Sequence, residues 1–252
     1  MSSTFKLLTV GNPKTAKGAA QGYWTFILHL SPARLSGYQT CPMATQGCLQ
    51  ACLNTAGRGG VAKGKGRLTV AEIANGSRSN TIQAARIRKT RWFFEERETF
   101  MDELRRDIAK AIKAATKKGF IPVFRLNGTS DIRWESVRET AWGGKNIFEI
   151  FPETQFYDYT KIANRRGIPS NYHLTFSLAD GNDVQAFAAL ANGFNVAAVF
   201  RKSGTIPASY MGAPTFNGDA SDLRFLDPKG VIVALYAKDN AKRDTSGFVR
   251  DV

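Results

Sequence analysis

The chain has three cysteines, Cys41, Cys48 and Cys52, with six residues between the first pair and three between the second. A chain that gathers every thiol in one short stretch is not spreading them through a core. Thiolates are soft donors that suit zinc, copper(I) and iron–sulfur clusters. The i, i+4 spacing of Cys48 and Cys52 predicts that both lie on one helical turn and point from the same face, with Cys41 closing the third side from the preceding loop. Zinc wants a fourth ligand, usually another Cys or a His at short companion spacing. The two histidines, His29 and His173, are far from any such pattern. Three cysteines holding a four-iron, four-sulfur (4Fe-4S) cluster fit the inventory more directly, with the last iron open or bound by His29 or His173, His29 being preferred. Inert buried thiols are the plain alternative.

An odd cysteine count, and an N-terminus Met1–Lys6 without an apolar signal segment, argue against a secreted disulfide framework and for a reduced, cytoplasmic setting. No apolar run approaches the length that crosses a bilayer, so no membrane association is expected. The 252 residues, 43% of them hydrophobic, suffice for a single α/β domain spanning 1–252.

A net charge of +14 favours an anionic small molecule or nucleic acid as partner. Basic residues crowd between Gly57 and Arg91: Arg58, Lys63, Lys65, Arg67, Arg78, Arg86, Arg88, Lys89 and Arg91, against the single acid Glu72. The segment 57–67 is too glycine-rich for a regular element and has the composition to wrap phosphates. Trp92, Phe93 and Phe94 beside it are candidate base-stacking groups, or core.

Hydrophobic patterning supplies the scaffold. A strand is expected over Gly22–Leu30, and a long helical region to Gly119, clearest over Phe100–Lys118 with Thr99 and Asp102 as its cap pair. Then come strand Phe120–Leu126, short helix Asn146–Phe151, and strands Thr154–Thr160 and Tyr172–Leu178. Helix Asp183–Asn192 is expected to turn Val184, Phe187, Leu190 and Ala191 to the core. Strand Val196–Arg201 follows, and strands Leu223–Leu226 and Val231–Ala237 flank a turn at Asp227–Gly230. Strand–helix alternation predicts an incomplete, TIM-like (β/α) barrel of about six mostly parallel strands with outer helices. Reactive groups in such folds collect at strand carboxyl ends. Reading each strand to its end yields the cysteine loop, then Arg125, Asn127 and Asp131, then Tyr159 and Lys161, then His173, Thr175 and Ser177, then Arg201 and Lys202. Arg125, Asn127, Asp131, Tyr159 and Lys161 are the candidate catalytic residues. Asp219 and Asp222 are expected to cap a turn and pair with Arg224.

A strand leading into a three-cysteine loop resembles the radical S-adenosylmethionine enzymes, whose pattern has three then two intervening residues rather than six then three. That resemblance implies an open iron able to bind the amino and carboxylate groups of S-adenosylmethionine. Through Cys41–Gly60, Arg125–Asp131, Phe156–Lys161 and Gly218–Asp227 the chain also resembles a bacteriophage family, gene product 88, which implies expression in a bacterial cytoplasm and brings no reaction with it. The leading expectation is a phage-encoded iron–sulfur protein, a redox or radical-type enzyme. The alternatives are a nucleic-acid-binding protein with a structural metal, and a cluster-based electron carrier.

Overall fold

The computed structural model describes residues 6–10, 13–64, 66–201 and 206–251; Lys65 and Lys202 lie outside them. The chain runs β1 (Leu8–Thr9), α1 (Pro13–Ala19), β2 (Tyr23–Leu28), α2 (Gln46–Gln50), α3 (Val70–Ala74), α4 (Thr81–Glu95), α5 (Arg97–Lys117) and β3 (Ile121–Arg125). It continues through α6 (Ile147–Ile150), β4 (Gln155–Thr160), β5 (Tyr172–Ser177), α7 (Asp183–Ala191), β6 (Val196–Phe200), β7 (Ser209–Tyr210), β8 (Ala213–Asn217), β9 (Ile232–Tyr236) and β10 (Val249–Arg250). One mostly parallel sheet has the order β1-β2-β3-β4-β5-β6-β9-β8-β7, with β10 pairing β6; among the described strands the β1–β2 and β7–β8 pairs are antiparallel. The sheet is not closed.

Alternation along the strands makes two unlike faces. On one, Phe26, Phe124, Phe156 and Tyr172 stand in register across β2 to β5. They pack with Phe100, Leu104 and Ile108 of α5, and with Phe93 of α4. Burying side chains such as Leu104 and Ile108 completely stabilises by about 1.5–3 kcal/mol each. The other face carries the row Ile27, Arg125, Tyr157 and His173. It is covered by the segment 223–226, where Leu223 packs on Val123 and Tyr157.

Four local expectations are corrected. Residues 224–226 form a 3-10 turn, not a strand; their job is to plug the polar face. Helix α5 begins at Arg97 after Glu96, and Thr99 lies inside it, its hydroxyl donating to Glu96 O at 3.0 Å. On α7 Ala186 and Ala189 are the buried core residues and Leu190 packs beside them as expected, while Ala191 is exposed and Val184 and Phe187 are 79% and 53% exposed; alanine lets the helix approach the sheet closely. Arg224 pairs with Asp227, whereas Asp222 reaches Arg125 and Asp219 reaches Lys238. The stop at Gly119 is as expected, with φ +74°.

Candidate functional site

The cysteine loop lies over the carboxyl ends of the parallel strands and is pinned by the segments that follow β2, β3 and β5. Thr40 donates through Oγ1 to Ser31 O after β2 (2.7 Å), and its carbonyl accepts from Asp131 N after β3 (2.8 Å). Cys41 follows, its thiol 3.9 Å from Thr129 O and 3.7 Å from the Thr40 hydroxyl. Thr45 caps α2 by accepting from Cys48 N at 3.1 Å. Asp180, beyond β5, accepts in turn from the Thr45 hydroxyl and from Gly47 N.

The expected single helical turn is broken. Cys48 sits in α2, but Ala51 ends that helix and Cys52 is extended (φ −58°, ψ 132°), opening the next 3-10 turn. The Cys52 sulfur accepts from Asn54 N at 3.4 Å. Asn54 is gripped by α4: its side-chain amide donates to Gln83 Oε1 (2.8 Å), and Arg86 donates to its carbonyl and side-chain oxygens (2.8 and 2.7 Å). The glycine-rich segment packs here as well. A Cβ on Gly60 would sit 1.8 Å from Thr55 O, and one on Gly59 2.7 Å from Asn54 O. These glycines allow close backbone contact with the cysteine turn.

Lys161, just past β4, is the cation among the thiols. Its backbone N donates to Asp131 Oδ2 (2.7 Å) and its Nζ to Ser177 Oγ (3.1 Å). Burial alone would lower its pKa, but Cys48, Asp131 and Cys41 together hold it above the ordinary lysine value. Burial pushes the Cys52 thiol up to about 12, with Cys48 adding to the effect. The Cys41 thiol is also raised, first by burial, then by nearby Asp131 and Cys48. The three sulfurs are therefore close enough to feel one another's charge. Among the described residues, no group of three or more His, Cys, Asp or Glu converges closely enough to hold one metal ion.

The other candidates separate into three groups. Asp131 and Lys161 join the cysteines. Arg125 and Tyr159 lie deeper on the polar face: Arg125 pairs with Asp222 at 3.0 Å and lies 5.2 Å over the Tyr159 ring, whose buried hydroxyl has no hydrogen-bond partner among the described residues. Asn127 is a structural clamp, its Oδ1 accepting from Ser130 Oγ, Ile132 N and Trp134 Nε1. His29 bonds Thr9 Oγ1 at 3.1 Å; burial, then Arg86, Arg125 and Lys89, lower its pKa to about 3. It is thus a neutral imidazole among cations. His173 is lowered too, by burial and then Arg224.

Several of the groups expected to form a nucleic-acid surface are used internally, while Arg58, Lys63 and Arg88 are exposed. Phe93 is core, Phe94 stacks on Tyr38 at 4.7 Å, and Trp92 donates to Thr99. Arg67, Arg78, Arg86, Lys89 and Arg91 all bond to the chain itself. Among the described residues no helix is long and apolar enough to cross a membrane. Asp180, Gln83, Arg86 and the close-packed glycines were not singled out as parts of this site from sequence, since only the folded chain brings them to the thiols.

A family model described as gene product 88 matches residues 6–252. No curated protein and no solved structure matches, so the resemblance to radical S-adenosylmethionine enzymes gains no support there.

Proposed function

The chain belongs to the gene product 88 family of bacteriophage proteins, and we propose that it is an iron–sulfur protein in which Cys41, Cys48 and Cys52 hold a 4Fe-4S cluster. One observation carries this reading: the three cysteines come from successive turns of one loop held by hydrogen bonds at Cys41 Sγ, Cys48 N and Cys52 Sγ, with the Lys161 ammonium within electrostatic reach of all three. A cluster would need the sulfurs to draw closer together than they stand here. The donor chemistry fits, being all soft sulfur with one half-buried cation and an N–H···S bond from Asn54.

When bound, such a cluster supplies one-electron redox chemistry at thiolate-ligated iron. The chain's part is to place the ligands and balance their charge. Lys161 and Arg86 offset the thiolates, since Arg86, lowered by burial, is raised again by Cys52. Ligation requires deprotonated sulfur. The raised thiols of Cys41 and Cys52 make loading easier as pH rises.

The six parallel strands β2, β3, β4, β5, β6 and β9 adjoin in chain order, with α4, α5 and α7 packed on one face and Arg125, Tyr157 and His173 among the residues of the other. This arrangement supports the reading of an incomplete (β/α) barrel with its site at the strand carboxyl ends. A polar face bearing Arg125, Tyr159 and His173 below the thiols favours a redox or radical-type enzyme over a simple carrier. S-adenosylmethionine is the co-substrate to try first. Anaerobic purification should give a brown protein, and Cys48→Ala should lose the colour while keeping its circular dichroism. Electron paramagnetic resonance of the reduced protein, with and without S-adenosylmethionine, then reports whether an iron is open. A colourless anaerobic preparation containing stoichiometric zinc would refute the reading.

A further inference from the structure

A cleft of ≈ 280 Å³ opens beside the cysteine loop. Its walls include Pro42 next to Cys41, Phe94 at the α4–α5 corner, and Ile132 and Ile162 beyond β3 and β4. That volume falls just under the range of drug-sized pockets and suits a single-ring compound. The charges at the cleft are Arg97, Arg133 and Asp131. Asp131 is already committed, since it accepts from Lys161 N and lies 3.6 Å from Arg165. The Arg133 side chain is exposed and makes no hydrogen bond or ion pair with any described residue. Arg97 lies 5.0 Å over the Phe93 ring; Glu139 feels its charge but forms no ion pair with it among the described residues. Apolar walls with two guanidinium forks that form no ion pair among the described residues match one ligand chemistry.

We propose that this cleft binds a small molecule with an apolar ring and one anionic group, held by Arg97 and Arg133 beside Cys41. The site does not depend on cluster binding, and its test uses metal-free protein, so the two readings fail separately. Saturation-transfer NMR titrations with benzoate, benzamide and acetate separate the contributions. Benzoate should bind saturably, about tenfold tighter than neutral benzamide, and acetate should be weakest. The double variant Arg97→Gln/Arg133→Gln should bring benzoate down to benzamide, and Ile132→Trp should weaken both. Equal affinity for benzoate and benzamide, benzoate binding unchanged in the arginine variant, or no saturable benzoate binding would each overturn the proposal. Should Ile132→Trp fail to fold, the arginine variant still decides, because both side chains lie at the surface.

Discussion

Asp180 accepts a hydrogen bond from Gly47 N at 3.2 Å, so the loop after β5 holds the first turn of the helix that carries Cys48. A side chain at Gly47 has no room, because a Cβ there would sit 1.9 Å from Ser246 Oγ and 2.7 Å from Asp180 Oδ1. Asp180→Ala should destabilise the protein by about 1–3 kcal/mol through the orphaned Thr45 and Gly47 donors. Gly47→Ala should loosen the loop further. Amide exchange is the measurement: residues 45–52 should lose protection in both variants while β2 to β5 keep theirs.

The Arg125–Asp222 pair is buried in the polar face. Removing one partner of such a pair costs about 3–5 kcal/mol, because the other charge is stranded. Arg125→Met should show a loss of that size in urea unfolding. Arg125→Lys should recover part of it, but not all, since the ammonium cannot reproduce the planar guanidinium lying over Tyr157 and Tyr159.

His29, held down to about 3 by burial and then by Arg86, Arg125 and Lys89, gives a pH dependence of known sign. Below about pH 6.5 the unfolded chain takes up a proton that the folded chain refuses, so this residue's effect is to lower stability as pH falls. Asp158, raised by burial to about 7, and Asp227, raised to about 6, act in the opposite sense: they keep protons in the folded state that the unfolded chain has lost. The comparison that isolates the histidine is wild type against His29→Gln. The variant should lose less stability between pH 7 and pH 5, and an identical profile would refute the assignment.

On α7 the two alanines and Leu190 face the core, whereas Val184 and Phe187 face outward. Val184→Ser should change stability by no more than about 0.5 kcal/mol, whereas Ala186→Val should cost about 1–3 kcal/mol by overpacking. Thermal melts of the two variants check this directly.

What was legible in the sequence follows from the range of each interaction. Alternation and bounding glycines placed β2 to β6 and β9 within a residue or two, because strand periodicity is a local property. The α7 face was misread because two large apolar residues outweigh two alanines in any hydrophobic pattern, while close packing favours the small ones. The 3-10 turn at 224–226 looked like a strand because Leu223 and Phe225 alternate, though they serve a plug. The cysteine trio stood out by composition, but the break at Ala51 between Cys48 and Cys52 had no local signal. Its cause is distant: Asp180 from one side, and Gln83 and Arg86 from the other, hold the two halves of the loop. Asn127 was read as reactive from its position alone, yet its side chain is used up in holding residues 130–134.

The most direct test of the central claim is iron and sulfide content per chain after anaerobic reconstitution, for the wild type and for Cys41→Ala, Cys48→Ala and Cys52→Ala. The account predicts about four irons and four sulfides in the wild type and loss of both in each variant. Wild-type protein that takes up no iron, or single variants that load as fully as the wild type, would contradict it.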